Sequence, residues 1–155
     1  MSRPALARVV VLAACLLCFG VVVLGAFVRQ SNAGLGCPDW PGCYGHLTPT
    51  AAAADHATAV APLNGRPLQL GKAWREMVHR YAAGTLALLV VCLTVMGYAW
   101  RRQRVVPAGY ATALLAIIIV QAVLGMLTVT WQLKPSIVTL HLLFGLTTLS
   151  LLLLL

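Results

Sequence analysis

Four long apolar runs divide the chain: Val9–Val28, Tyr81–Trp100, Ala108–Trp131 and Ile137–Leu155. Each approaches the roughly 20 residues that a helix needs to cross about 30 Å of hydrocarbon. Leu, Val, Ile and Ala run on within them, without the alternation of a membrane β-strand. Lipid offers an unpaired backbone group no hydrogen bond, so these runs predict helices. Glu76 to Arg80 opens the second run, which places helices over about 9–28, 76–100, 108–131 and 137–155. Pro107 and Pro135 fall at the start of the third and fourth, where a missing N–H costs nothing. The connections after the second helix are short, so helices two to four are neighbours in an up-down bundle. The expected fold is all-α: one integral membrane four-helix domain over residues 1–155, with an external loop over 29–75.

Composition agrees. The chain is 61% hydrophobic and 9% charged, which excludes a soluble domain. A formal charge of +8 raises nucleic acid as a partner, but the basic residues lie between or beside the apolar runs and form no stripe. Lipid is the expected partner, and no nucleic acid. Arg3 and Arg8 precede the first helix, and Arg101, Arg102 and Arg104 crowd the short turn after the second. These segments share one side, and their density makes it cytoplasmic. Arg29, Arg66, Lys72, Arg75 and Lys134 lie opposite, mostly in the long loop. The first run exceeds the roughly 7–15 apolar residues of a signal peptide, so it reads as a retained helix. The location that follows is a plasma (inner) membrane or its organellar equivalent, with the N-terminus cytoplasmic and the first loop external.

The loop has two parts. Residues 31–45 are rich in Gly, Pro, Cys and Trp and suit a compact turn-rich structure. Residues 48–62 are Ala-rich and read as a spacer. Cys37 and Cys43 share one tight turn on the outer side, where disulfides persist. A structural disulfide is the first reading and a redox-exchanging pair the second. Cys15, Cys18 and Cys92 read as small apolar residues within spans. Trp74, Trp100, Trp131, Tyr81, Tyr98 and Tyr110 read as an interfacial aromatic belt, whereas Trp40 lies inside the Cys loop.

His79 opens the second apolar run and His141 the fourth. Helices two and four run in the same direction, so the two imidazoles sit at similar depth. Two neutral imidazoles facing each other can hold a haem iron from both faces. The bland alternative is a pair of histidines hydrogen-bonded at the headgroup boundary. Zinc wants four ligands, and no further histidine is well placed; His46 and His56 lie in the loop, with His56 read as solvated surface. Glu76 is the only glutamate in the chain. It lies one turn before His79 on the same face, where it can orient the imidazole, accept a proton or pair with Arg75 or Arg80. Arg80 and Arg29 each suit either a haem propionate or a phosphate headgroup. Gln121, Gly125 and Thr128 form a small, polar face on the third helix, suited to close helix packing or to lining a porphyrin pocket.

Several of these motifs, in order, resemble the haem A synthases. Gly25-Ala26-Phe27-Val28-Arg29 and the segment from Ser31 through Cys37-Pro38-Asp39-Trp40-Pro41-Gly42-Cys43 resemble their first external loop. Glu76-x-x-His79-Arg80 resembles the start of their second helix. Gln121-x-x-Leu124-Gly125-x-x-Thr128-Val129 and His141 resemble their third and fourth. The resemblance implies one half of an eight-helix, pseudo-symmetric fold whose halves each hold a haem between two histidines. It implies a membrane oxidoreductase that oxidises a methyl group of haem O to a formyl group, giving haem A for cytochrome oxidase, with water as the oxygen source. It implies His79 and His141 as the ligand pair for haem b or haem O, Glu76 as the catalytic acid, and Cys37 with Cys43 as the loop pair. Haem O synthase and cytochrome oxidase assembly factors are the implied protein partners. The chain stops within the fourth span, so the expectation is a truncated N-terminal half or two copies paired to rebuild the larger body. The rivals are a b-type cytochrome that only passes electrons and has no use for Glu76, and a non-catalytic scaffold.

Overall fold

A computed structural model describes residues 2–55, 67–103 and 105–155. The readings of His56 as solvated surface, of Arg66 and Arg104 in the charge count, and of the later part of the spacer fall outside these residues. The elements are α1 (Arg3–Gln30), α2 (Pro49–Ala54), α3 (Leu70–Ala99), a 3-10 turn (Arg101–Gln103), α4 (Ala108–Thr130) and α5 (Pro135–Leu153). The four long helices hold 28, 30, 23 and 19 residues, and each is apolar enough to cross a membrane. The chain is an integral membrane helical bundle.

The helices and the apolar runs have different ends. α1 begins at Arg3 rather than Val9, and α3 at Leu70 rather than Glu76. Hydropathy marks where lipid begins, whereas a helix continues as long as its backbone bonds and one face is covered. The added first turns of α3 are covered: Ala73 and Met77 are buried beneath the loop. α5 starts at Pro135 and α1 carries a proline in its first turn. Part of the Ala-rich spacer is also helical. Thr48 accepts the Ala51 N–H at 3.2 Å, capping α2, and four alanines follow. Alanine has the highest helix propensity and a threonine cap is worth about 1 kcal/mol, which suffices for a short turn held against α3.

α1 packs on α3 and α5, and α4 packs on α3 and α5, so the long helices form a closed square with α3 and α5 on one diagonal. At the end holding the N-terminus the interior is aliphatic, with Cys18, Leu86, Val90, Leu93, Leu114, Ile118 and Leu152 among its buried members. Several belt aromatics tie helices together here. Tyr110 donates to the Leu151 carbonyl at 2.7 Å, Tyr98 bonds Thr112 at 3.0 Å, and the Arg3 guanidinium lies 5.8 Å from the Trp100 ring centre. Outward-facing side chains such as Leu16 and Leu88 are 74% and 67% exposed, which is the coat a lipid phase requires.

Candidate functional site

The opposite end of the bundle is capped by the loop between α1 and α3. Cys37 and Cys43 form a disulfide with Cα atoms 4.7 Å apart, and both residues are wholly buried. The turn between them is closed by Asp39, whose carboxylate accepts the Tyr44 N–H at 2.6 Å and the Gly45 N–H at 2.8 Å. Backbone bonds join Cys43 and His46 in both directions, and His46 Nε2 lies 3.0 Å from an Asp55 oxygen.

This loop is bolted to α3. Gly36 lies so close that a Cβ there would stand 2.6 Å from the Lys72 carbonyl carbon and 2.8 Å from the Ala73 nitrogen. Those are backbone atoms that cannot step aside. One turn further along α3, Glu76 Oε2 accepts the Cys37 N–H at 2.9 Å, and Glu76 Oε1 accepts from Arg80 at 2.5 Å. Arg80 also donates to the carbonyls of Asp39 at 2.8 Å and Gly42 at 2.6 Å. Its five N–H donors suit a cup of bare carbonyls. Arg80, expected at a propionate or a headgroup, gives its terminal N–H groups to the loop carbonyls and to Glu76 in this structure. The structure realises the ion pair foreseen for Glu76, with side-chain exposures of 12% and 5% for Arg80 and Glu76. Tyr81, read as a helix-end aromatic, lies three turns into α3 and donates to the Leu47 carbonyl. Trp40 is 43% exposed and borders an apolar groove with Leu47, Tyr81, Gly84 and Leu88. At 100° per residue those α3 positions lie on the side away from His79.

His79 turns into the bundle. Its ring packs against α1, where a Cβ on Gly25 would lie 3.1 Å from His79 Cε1. His141, on α5, packs the same way against α4, with a Cβ on Gly125 falling 3.5 Å from its Cε1. Each glycine lies five residues before its helix ends (30 − 25 and 130 − 125), or ~7.5 Å of rise. The two histidines thus stand at the cap end, on diagonal helices, each seated on a glycine of a neighbouring helix. They lie within electrostatic reach of one another. A turn deeper, a Cβ on Gly145 of α5 would lie 3.0 Å from Gln121 Nε2 on α4 and 3.9 Å from Val22 of α1.

Three polar atoms in this region are buried without a hydrogen-bond partner: His79 Nδ1, His141 Nδ1 and Gln121 Oε1. Leaving such an atom unpaired costs about 1–3 kcal/mol, so three at one end of a bundle mark a place built for a further group. Among the described residues no set of three His, Cys, Asp or Glu side chains could hold a bare ion. Arg29 is exposed in the last turn of α1 and joins none of these contacts. Val22 and Gly145 were not singled out in the sequence. Gly145 had a readable signal: it follows His141 by one turn, on the same face.

Four apolar helices, with an aliphatic interior at one end and two imidazoles under a disulfide-closed cap at the other, define a membrane helical bundle with buried polar side chains beside one surface. Comparison with known proteins makes the family specific. Residues 8–155 match the COX15-CtaA family of cytochrome oxidase assembly proteins, and the chain belongs to that family. It is 44% identical over 137 residues to a haem A synthase of Shewanella oneidensis, covering 87% of this chain and 40% of that protein. It is 33% identical over 137 residues to the haem A synthase of Lysinibacillus sphaericus, covering 81% of this chain and 38% of the relative. The haem A synthase of Geobacillus kaustophilus is 33% identical over 125 residues, covering 80% and 33%. The chain thus spans about two-fifths or less of the length of these relatives.

Proposed function

We propose that this chain supplies a haem-binding four-helix half of a haem A synthase, with His79 and His141 as axial ligands to the iron of haem b or haem O. One observation carries the reading: two buried imidazole nitrogens without partners, at the cap end of diagonal helices. A neutral imidazole has one nitrogen lone pair to give, and a planar macrocycle leaves its iron open on both faces. The glycines beneath the rings fit the same purpose, because a side chain at either would displace its imidazole.

In the whole enzyme the reaction is oxidation of a haem O methyl to a formyl group, giving haem A for cytochrome oxidase. A bound haem would supply the redox-active iron and water the oxygen, and the four electrons and four protons released would go to an external electron acceptor and to solvent. The chain's residues prepare the place. Glu76 lies one turn outward of His79 on the same face, between the histidines and the cap. Its carboxylate would take up protons on that side of the site, while the Cys37 N–H and Arg80 hold it in position. Arg29, one turn beyond Gly25 on α1, is an exposed cation placed to meet a propionate. The aliphatic end of the bundle keeps water out from the other side. The density of arginine around α1 and the 3-10 turn supports a plasma-membrane orientation with the cap outside. Haem O arrives from a haem O synthase, and the product serves cytochrome oxidase assembly. Pairing of two copies is the homo-oligomeric route to an eight-helix body.

The test is spectroscopic. Protein purified with haem should show a six-coordinate, low-spin Soret band, and His79→Ala and His141→Ala should each abolish it. A histidine variant that keeps the wild-type spectrum refutes the ligand assignment. Glu76→Gln should lower conversion of haem O to haem A in extracted pigment while keeping the spectrum; unchanged turnover removes the acid's role.

A further inference from the structure

Gln121 is the one member of the buried unpartnered trio that the ligand reading does not use. It sits in the middle of α4, one turn deeper than Gly125 and hence than the histidines. Its Oε1 is buried without a partner, and its Nε2 is held where a Cβ on Gly145 would come within 3.0 Å. Gly145 is one turn beyond His141 on α5, so the amide and the imidazole share the α4–α5 seam. Val22 of α1 closes the same level from the third side. The amide therefore lies inward of the histidines, at the level of Gly145 and Val22, with the cap and Arg29 on the outer side.

An uncharged amide in this setting suits an uncharged hydrogen-bonding group. A carboxylate would meet no cation there, and a purely apolar edge would leave the amide oxygen unpaired. We propose that Gln121 is a specificity-determining residue that accepts a hydrogen bond from a hydroxyl on the inner edge of the bound macrocycle. This rests on the haem reading above. A haem whose charged propionates lie toward the wet, cationic end turns its opposite edge toward Gln121. That edge carries a vinyl group in haem b and a hydroxyalkyl group in haem O. Gln121 thereby distinguishes the two, and the absent side chain at Gly145 leaves the amide room to swing onto the hydroxyl.

Competition binding of haem O against haem b, followed by the Soret band and by extracted pigment, tests the assignment in the full protein. The wild type should favour haem O. Gln121→Met, of similar length and without the amide, should lower that preference by roughly three- to tenfold, the worth of one neutral hydrogen bond, with haem b affinity unchanged. Gly145→Ala should lower the preference in the same direction by crowding the amide while leaving Gln121 in place. An unchanged preference in both variants overturns the proposal. Equal loss of both haems overturns it as well, because that outcome assigns Gln121 to packing. Failure of the wild type to bind either haem would overturn the haem reading itself, and is distinct from both.

Discussion

Arg80→Ala is the most informative single perturbation of the cap. Arg80 joins Glu76 to the carbonyls of Asp39 and Gly42 across contacts of 2.5–2.8 Å. Removing the guanidinium leaves a carboxylate that is 5% exposed with the Cys37 N–H as its remaining backbone partner from the cap turn. Breaking a buried pair from one side costs about 3–5 kcal/mol. The loop can relieve part of this by opening to water, so the lower end applies, about 3 kcal/mol. At 1.4 kcal/mol per decade that raises the open population of the loop by about a hundredfold. The disulfide reports it directly, because Cys37 and Cys43 have 0% exposure and a hydrophilic thiol must wait for opening. Reduction followed by maleimide labelling should be about a hundredfold faster in Arg80→Ala, with helicity unchanged. Arg80→Lys, which keeps the charge but lacks the planar fork, should fall between. Adding Glu76→Gln to Arg80→Ala should recover part of the loss, since the stranded charge is gone. Reduction of Arg80→Ala at the wild-type rate would refute the clamp.

Gly36→Ala should also speed disulfide reduction, by at least as much, because its Cβ meets α3 backbone at 2.6 Å and the whole loop must lift; a wild-type rate would show that the loop has slack. Tyr110→Phe removes the bond to the Leu151 carbonyl and should destabilise the bundle by about 1 kcal/mol, read as a lowered unfolding midpoint in detergent, with no change in disulfide protection at the far end. Gly25→Val should displace the His79 ring and shift or weaken the Soret band, whereas Gly20→Val, where a Cβ meets nothing within 4 Å, should leave it unchanged.

The membrane-spanning bundle was readable because lipid imposes a simple rule: long apolar runs must be helices. The placement of His79 and His141 at one end followed from counting alternating spans. The register of the cap was harder to see. Arg80 looked like a residue for phosphate or propionate because its eventual partners are backbone carbonyls forty residues earlier, and carbonyls leave no mark in a sequence. Gly36 looked like one loop glycine among several until the approach of α3 showed why no Cβ fits. The start of α3 was missed for a related reason: Lys72 and Arg75 read as loop by polarity, yet Ala73 and Met77 are buried along the same stretch. Gln121 was visible as a polar residue in an apolar span, but its orphaned oxygen is a property of packing.

The two ends of the bundle differ in how they are closed. From the N-terminal side the way to the imidazoles is filled by interlocked aliphatic side chains, from Leu152 and Val90 up to Cys18 and Ile118. Toward the cap the interior turns polar instead, with Glu76 and Arg80 holding the disulfide loop in place. The two ends are therefore unlike in kind, one sealed by packing and the other by a clasp that a single side chain can loosen.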